Sequence, residues 1–265
     1  PPPAQVKMAD IPASIFKAYD IRGIVGDTLN EDIVERIGHA IGSEATARQQ
    51  HTIAIGRDGR LSSTSLSEAL ARGLRKSGMA VVDLGRVTTP MTYFAAFQLG
   101  TACAVMVTGS HNPPDHNGLK VVLAGEALSG AAIQGLRTRI EMGDLTHGSG
   151  SYSRYDIAPE YLARIIGDIR LARPLRITVD CGNGVAGDFA AKLYRGIGCE
   201  VSGMFCEVDG HFPNHHPDPS DPRNLQDLIQ NARPSNADAA DKRHPTRDKP
   251  QIFPDIDSGD VNAYL

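Results

Sequence analysis

The chain has 265 residues, 41% of them hydrophobic, so it is long enough for about two domains with buried cores. A formal net charge of −4, with no run of lysine or arginine in the sequence, argues against nucleic acid as a partner. The sequence contains no apolar stretch as long as a membrane span and no recognisable signal peptide, so no membrane partner is predicted. The four cysteines lack a Cys-x-x-Cys pairing and mostly lie in or beside apolar runs, which is typical of reduced, buried thiols in a cytoplasmic protein.

The first part of the chain alternates predicted helices and strands. Residues 1–13 are expected to be a disordered leader, with Met8 as a candidate natural start. Asn30 is a candidate N-cap, because acidic residues and an apolar stripe follow it. Further elements are expected at 52–56 (strand), 63–78 (helix), 81–85 (strand) and 91–99 (helix).

Two short apolar runs, 102–107 and 119–123, then enclose a polar loop. This pattern predicts two buried strands joined by a functional loop. Gly109 is expected to permit backbone angles that a side chain would forbid, and the following Pro113 and Pro114 to stiffen the loop. Ser110 is thereby predicted at the tip of a rigid loop after a strand, where open α/β sheets bind their ligands.

The second part of the chain repeats the alternation. Residues 144–152 are rich in glycine and serine without apolar periodicity, so a domain boundary is placed there. The expected elements are listed in order: a helix ending at Gly143, a helix at 158–171, a strand at 176–180, a helix, a strand at 200–208, a long polar loop and a helix at 225–232. The prediction is an α/β fold of two similar three-layer α/β/α domains with mixed sheets.

Two motifs in this part are open to different interpretations. Gly182, Gly184 and Gly187 match G-x-G-x-x-G between a strand and a helix, which by itself is typical of dinucleotide sites, although no acidic residue follows at a compelling spacing. The loop after residue 208 carries three histidines and an aspartate that could be a metal cluster or could simply make hydrogen bonds in a proline-stiffened loop. These four residues are His211, His215, His216 and Asp218.

Five segments together resemble the α-D-phosphohexomutases, the phosphoglucomutase and phosphomannomutase family. They are AYDIRG at 18–23, GRDGR at 56–60, TGSHNPPDHNGLK at 108–120, DCGNGVAG at 180–187 and FPNHHPDP at 212–219. In that family the serine of TGSHNP carries a phosphoryl group, which it donates to a sugar monophosphate and regains from the bisphosphate intermediate. The resemblance also implies that the glycine motif supports packing without a dinucleotide, and that the histidine loop is not a metal site.

The resemblance assigns roles to individual residues. Ser110 is implied as the phosphoryl carrier and as the serine side of a Mg²⁺ site. Arg22 and Lys120 are implied to surround the phosphoserine charge, with Lys120 also a candidate general base. His111 is implied as a hydrogen-bond donor to substrate or phosphate.

Substrate binding is assigned to Tyr19 and Asn112, together with Arg22 and Lys120. Arg57 and Asp58 of the GRDGR segment are expected to form an ion pair that helps to hold the catalytic loop.

The resemblance implies a monomeric isomerase that moves phosphate between the 1- and 6-positions of glucose or mannose, with Mg²⁺ as cofactor and hexose 1,6-bisphosphate as activator. Hexose phosphates are the implied partners.

The resemblance covers about residues 14–238, and the expected Asp-Gly-Asp-Gly-Asp-Arg metal loop is missing from the sequence. The expected division is domain I at 14–150, an incomplete domain II at 151–240 and a divergent tail at 241–265, after a truncation or frameshift. Asp255, Asp257 and Asp260 of the tail could imitate the metal loop, but acidic residues near a terminus are typical of a solvated chain end, which is the interpretation preferred here. The chain alone is therefore expected to have little or no turnover, and the alternative is a non-catalytic remnant that binds sugar phosphates.

Overall fold

The computed structural model describes residues 11–232, 238–242 and 251–253. They form two mixed sheets with helices packed on them, which confirms the predicted α/β fold class. Residues 1–10 of the predicted leader and the tail positions Asp255, Asp257 and Asp260 lie outside the described residues.

The first sheet contains seven strands in the order β1-β5-β4-β2-β3-β7, with β6 paired to β5. The strands are β1 (Ile21–Ile24), β2 (Thr52–Arg57), β3 (Ala80–Arg86), β4 (Ala104–Val107), β5 (His116–Leu123), β6 (Glu126–Ala127) and β7 (Tyr152–Arg154). The segment β4-β2-β3-β7 is parallel, whereas β5 is antiparallel to β1, β4 and β6. The carboxyl ends of the parallel strands therefore meet at one edge of the sheet, next to the turn between β4 and β5.

Helices cover both faces of this sheet. They are α1 (Glu31–Ala47), α2 (Ser63–Lys76), α3 (Thr89–Gln98) and α4 (Ala131–Met142). The larger core cluster joins α1, α2 and α4 to one face, and α3 contributes to a second cluster on the other face. The side chain of Asn30 accepts the N–H of Ile33 at 2.9 Å, which confirms the predicted N-cap of α1. All four residues of β4 are buried, so the strand that leads to Ser110 is anchored in the middle of the fold.

The second sheet has the order β11-β10-β8-β9 among the described residues. Its elements are α5 (Ala158–Asp168), β8 (Arg176–Asp180), α6 (Ala190–Gly196), β9 (Glu200–Met204), α7 (Gln226–Ala232), β10 (Ala239–Lys242) and β11 (Gln251–Phe253). Strand β8 is parallel to β9 and β10, and β11 is antiparallel to β10.

Three details differ from the sequence-based expectations. The strand expected at 200–208 ends at Met204, because Phe205 has a φ of 50° and cannot continue a strand. The helix expected at 158–171 ends at Asp168, because Ile169 has extended backbone angles. Residues 239–242, which lie beyond the expected end of the family resemblance at about residue 238, form strand β10 in parallel register with β8.

The predicted domain boundary after residue 150 stays a prediction. Strand β7 pairs with β3, so the first sheet continues past that position to Arg154. The first and second domains are also in contact, since the ring of Phe94 on α3 lies 5.4 Å from the ring of Tyr161 on α5.

In the part of the chain that the structure describes, no helix combines the length and the apolar character needed to cross a bilayer.

The close approach of α1 and α2 predicts a strong position dependence for glycine substitutions. A Cβ atom at Gly73 would lie only 2.0 Å from the backbone oxygen of Glu35, whereas a Cβ at Gly135 on α4 would meet nothing within 4 Å. We expect Gly73→Ala to lower the free energy of unfolding by about 1–3 kcal/mol, because the packed helices must separate. Gly135→Ala, the matched control, should be neutral or stabilising by up to about 1 kcal/mol.

Urea unfolding followed by circular dichroism measures both values. Equal stabilities for the two variants would contradict the described contact between α1 and α2.

Candidate active site

Ser110 lies in the loop that follows β4 and is only 5% exposed. Its φ is 55°, in the left-handed region that residues with a side chain rarely adopt. Its backbone N–H donates to Thr108 Oγ1 at 3.0 Å, and its carbonyl accepts from Arg60 Nη2 at 2.8 Å. The surroundings thus hold both polar groups of this peptide backbone, as an unfavourable conformation requires.

The buried carboxylate of Asp58 organises the start of the same loop. Its Oδ2 accepts the hydroxyl of Thr108 at 2.8 Å and the N–H of Gly109 at 3.1 Å. Its Oδ1 accepts the hydroxyl of Ser63 at 2.5 Å and the N–H of Arg60 at 3.0 Å. Because four donors replace the water that burial removes, the charge is compensated and ties β2, α2 and the loop together.

The guanidinium of Arg60 fills the interior of the loop, and its side chain is 1% exposed. Its Nε lies 3.4 Å from Asp58 Oδ2, an ion-pair distance. Burial lowers the pKa of Arg60, and the Asp58 carboxylate opposes that effect. Four loop carbonyls accept from the two Nη atoms: those of Ser110 (2.8 Å), Asn112 (2.7 Å), Pro113 (2.5 Å) and His116 (3.1 Å).

The predicted ion pair between Arg57 and Asp58 is wrong. Arg57 Nη1 lies 3.8 Å from Asp83 Oδ1 instead, and Asp58 faces Arg60. Successive residues at the end of an extended strand point to opposite faces of the sheet, so the two side chains diverge. The glycine turn after Asp58 brings Arg60 back towards the loop.

The expectation that Gly109 is needed for its backbone angles is also wrong. Gly109 is not among the residues with positive φ, and its neighbour Ser110 takes that conformation instead. A Cβ atom at Gly109 would lie 2.3 Å from Arg60 Nε and 2.4 Å from Cζ. Glycine is therefore required here for space beside the guanidinium.

Asn117, at the start of β5, extends the network to the next strand. Its side chain is fully buried, and Nδ2 donates to Ser62 Oγ at 2.8 Å and to Ser63 Oγ at 2.9 Å. Its Oδ1 accepts the N–H of Gly118 at 2.8 Å. Because Ser63 also donates to Asp58, a continuous set of hydrogen bonds links β5 to the serine loop.

Arg22 and Lys120 lie on neighbouring strands and share one face of the sheet. Arg22 is opposite Gly118 in the β1–β5 register, and Lys120 is two residues from Gly118 on β5. Side chains at these positions project to the same side, since cross-strand partners and residues two apart both do so. Arg22 forms an ion pair with Asp20. The predicted positive pair is thus located beside the turn that carries Ser110.

The remaining predicted residues differ in their placement. The side chain of Asn112 lies within the loop, where Nδ2 donates to the carbonyl of Gly109 at 3.0 Å. Burial raises the pKa of Asp218, but hydrogen bonds from Ser220, with smaller contributions from His111 and His216, outweigh it and lower that pKa. His111 therefore lies within electrostatic range of Asp218 in the second domain.

Tyr19 is not brought into the site. It is 80% exposed, so its side chain lies in solvent beside β1.

A segment of the second domain packs directly on the GRDGR turn. The ring of Phe212 lies 5.3 Å from Arg60 Cζ, within cation–π range. A Cβ atom at Gly59 would lie 2.3 Å from Val208 Cγ1, and one at Gly210 would lie 2.9 Å from the carbonyl oxygen of Gly59. The same arginine therefore contacts the serine loop on one side and the second domain on the other.

The glycine motif at residues 182–187 is filled by the protein itself. A Cβ atom at Gly182 would lie 3.0 Å from His215 Cε1, and one at Gly187 would lie 2.0 Å from the carbonyl oxygen of Cys206. A 3₁₀ turn, Val185–Asp188, begins after Gly184 and contains Gly187, at the place where a dinucleotide site has the start of a long helix. These contacts support a packing role for the motif.

The histidine loop makes hydrogen bonds, which agrees with the second of the two interpretations offered by its sequence. His215 Nε2 is 3.0 Å from Asp180 Oδ2, and its Nδ1 is 3.0 Å from the carbonyl oxygen of His216. His211 Nδ1 is 2.9 Å from Asp209 Oδ1. Within the described ranges, no group of three or more His, Cys, Asp or Glu side chains is arranged to hold a metal ion. The described residues alone do not form the Mg²⁺ site that the resemblance implies.

Sequence reasoning missed three residues of this network, namely Arg60, Thr108 and Asn117. A polar Asn117 between a loop and an apolar run was a usable signal, because a buried amide needs partners. A second usable signal was the position of Arg60 two residues after Asp58, with a glycine between them. Neither signal identifies the loop carbonyls that accept from Arg60, since those contacts form only in the folded chain.

Fold and site together define a two-domain α/β protein with a buried serine presented at the end of a central strand. Residues 13–147 match the family described as phosphoglucomutase/phosphomannomutase, alpha/beta/alpha domain I, and residues 159–242 match its alpha/beta/alpha domain II. The chain belongs to the α-D-phosphohexomutase family.

Relatives and a solved structure agree with this assignment. The chain is 53% identical over 232 residues to a phosphomannomutase/phosphoglucomutase of Pseudomonas aeruginosa, covering 88% of this chain and 50% of the relative. It is 53% identical over 234 residues to a phosphoglucomutase of Neisseria gonorrhoeae, with the same coverage. A crystal structure of a phosphoglucomutase/phosphomannomutase family protein from Burkholderia thailandensis is 48% identical with a TM-score of 0.89, covering 92% of this chain and 55% of that one. The chain thus spans about half the length of the curated relatives it matches.

The two arginines of the GRDGR segment should contribute very differently to stability. Arg60→Met leaves Asp58 buried without its ionic partner and four carbonyls without their donor, so we expect a loss of about 3–5 kcal/mol in the free energy of unfolding. Arg57→Met, the matched control, removes a partly buried ion pair with a long N–O distance of 3.8 Å. Asp83 keeps its hydrogen bonds from Gly85 and Tyr152, so the change should cost about 0–1 kcal/mol.

Denaturant unfolding of both variants against the parent measures the difference. A cost at Arg57 as large as that at Arg60 would contradict the assignment of Arg60 as the residue that holds the loop.

Proposed function

We propose that Ser110 is a phosphoryl carrier in a phosphoglucomutase/phosphomannomutase that interconverts the 1- and 6-phosphates of glucose or mannose. The observation that carries this proposal is the presentation of Ser110: a buried serine with φ of 55°, held through both its N–H and its carbonyl. The names of relatives at about 50% identity support it. Because the chain spans about half of those relatives, the activity is proposed for the whole protein to which these residues belong.

The proposed step moves one phosphoryl group between two oxygens. The bond from phosphorus to the sugar oxygen of a hexose 1,6-bisphosphate breaks, and a bond from phosphorus to Ser110 Oγ forms. The serine hydroxyl loses its proton, and the sugar oxygen regains one. Such transfers depend on positioning and charge compensation more than on covalent chemistry, which is what a rigid loop beside cationic residues can supply.

Arg22 and Lys120 are proposed to compensate the charge of the phosphoserine, which is about −2 at neutral pH. Their shared face of the sheet supports a joint role. We assign Lys120 as the acid or base for the sugar hydroxyl and His111 as a hydrogen-bond donor to phosphate. Asn112, Arg22, Lys120 and Tyr19 are the proposed substrate contacts, although Tyr19 would have to turn from solvent.

Magnesium and hexose 1,6-bisphosphate are proposed from family membership alone. The Mg²⁺ ion would offset charge on the phosphoryl group, with the phosphate on Ser110 as one ligand. The described residues do not complete a site for this ion. The cytoplasm as location and the absence of nucleic acid and membrane partners are proposed from the composition of the sequence, and the monomeric state from the family resemblance. For the chain alone we expect little or no turnover, because the sequence lacks the acidic metal loop of the family.

Incubation with glucose 1,6-bisphosphate should place a phosphoryl group on Ser110. The tryptic peptide 87–120 contains Ser110 as its only serine, so fragment masses locate the modification. Ser110→Ala should abolish the adduct, whereas the control Ser129→Ala should retain it.

A phosphate on Ser62, Ser63 or Ser129 instead would contradict the assignment. Complete absence of an adduct would favour the alternative of a non-catalytic remnant that binds sugar phosphates.

Lys120→Met, introduced into the full-length protein, should reduce turnover by roughly 10²–10⁴-fold, the usual effect of removing a general acid or base. Substrate binding should weaken less. The matched control is Lys192→Met, which removes an exposed lysine of α6 and should leave turnover unchanged. A coupled assay of glucose 6-phosphate formation measures both, and turnover of Lys120→Met within a few-fold of the parent would exclude the role.

A further inference from the structure

Cys181 and Cys206 lie beside each other at the carboxyl ends of two neighbouring parallel strands. Cys181 directly follows β8, and Cys206 comes two residues after β9. The strands are paired along their length, and the N–H of Cys181 donates to the carbonyl of Met204 at 3.0 Å. The register pairs Asp180 with Met204, so Cys206 lies one residue beyond the position opposite Cys181 and the two side chains can meet.

The two thiols are already in contact. Neither cysteine is part of a disulfide, and their Sγ atoms are 3.1 Å apart. A disulfide bond is about 2.05 Å long, so a movement of about 1 Å would join them. Gly203 provides the space for this arrangement, because a Cβ atom there would lie 2.9 Å from Cys206 Sγ.

Cys206 differs from the other cysteines in its surroundings. It is partly exposed, whereas Cys103, Cys181 and Cys199 are buried. A hydrogen bond from Cys181 lowers the pKa of Cys206 to about 7, against burial and the nearby carboxylate of Asp180. Burial raises the pKa of Cys103 and of Cys199. Since the thiolate is the nucleophile in disulfide exchange, Cys206 is the thiol equipped to react first.

We propose that Cys181 and Cys206 form a thiol–disulfide exchange site, at which a low-molecular-weight disulfide such as oxidised glutathione converts the pair into a reversible intramolecular disulfide. The Cys206 thiolate attacks one sulfur of oxidised glutathione, forms a mixed disulfide and releases one glutathione thiolate. Cys181 then gives its proton to solvent and attacks Cys206 Sγ, which releases the second glutathione. The cysteine pair loses two electrons, and the glutathione disulfide gains them.

The bond would join two loops that meet the candidate active site. Cys181 begins the glycine turn that contacts His215. Cys206 begins the segment that leads to Phe212, whose ring contacts the guanidinium of Arg60. This inference does not depend on phosphoryl transfer by Ser110, so the two can fail independently.

The test uses the 265-residue chain, which is incubated with oxidised glutathione, then unfolded in denaturant and alkylated so that buried thiols also react, and measured by intact mass. We expect the loss of two hydrogens without a retained glutathione, reversed by excess reduced glutathione, and two alkylated cysteines. Digestion with trypsin and Glu-C should give a linked peptide pair containing Cys181 and Cys206. Cleavage after Glu200 separates Cys206 from Cys199, so the partner is identified unambiguously.

Cys206→Ser should abolish the internal disulfide, and the matched control Cys199→Ser should retain it. Four alkylated cysteines after oxidation, a glutathione adduct that persists on Cys206, or a disulfide that involves Cys103 or Cys199 would each overturn the proposal. The parent protein alone decides among these outcomes, so the test does not depend on the variants folding.

Discussion

The buried ion pair of Asp58 and Arg60 is the interaction on which the candidate site depends. Removing two charges from water is costly, and such pairs often add little to stability compared with apolar side chains. Here each oxygen of the Asp58 carboxylate accepts two hydrogen bonds. The Arg60 guanidinium donates to four backbone carbonyls between Ser110 and His116. The pair therefore specifies a conformation: it fixes where the loop after β4 turns and keeps Ser110 at an otherwise unfavourable φ.

The same pair connects parts of the chain that are distant in sequence. Asp58 directly follows β2 and accepts hydrogen bonds from the first residue of α2 and from the serine loop. It is linked to β5 through Ser63 and Asn117. Arg60 contacts Phe212 of the second domain. By comparison, the exposed interdomain pair of Arg86 and Asp188 should contribute little, since water screens it. The contact between the two domains and the conformation of the serine loop thus both involve one buried residue, Arg60.

Local features of the fold were predictable from the sequence because their causes are local. Asn30 caps α1 through a hydrogen bond three residues away, and β4 is an apolar run that ends where polar residues begin. The partner of Asp58 was not predictable, since an adjacent arginine and one across a glycine turn are equally plausible before the strand direction is known. The positive φ of Ser110 and the early end of β9 at Phe205 likewise depend on contacts with other parts of the chain. The family resemblance supplied candidate residues, but it could not indicate that Tyr19 lies in solvent.

Amide hydrogen exchange at Gly109 and Ser110 tests most directly whether Asp58 and Arg60 hold the serine loop. In the parent protein these amides should be protected to a degree comparable with β4, because their N–H groups donate to Asp58 and to Thr108 inside the network. In Asp58→Asn the charge-assisted bonds are weakened by about 1.5–3 kcal/mol, so exchange at Gly109 and Ser110 should accelerate roughly 10–150-fold while the middle of β4 changes little. Fast exchange of Gly109 and Ser110 in the parent protein, or protection unchanged by Asp58→Asn, would contradict the account.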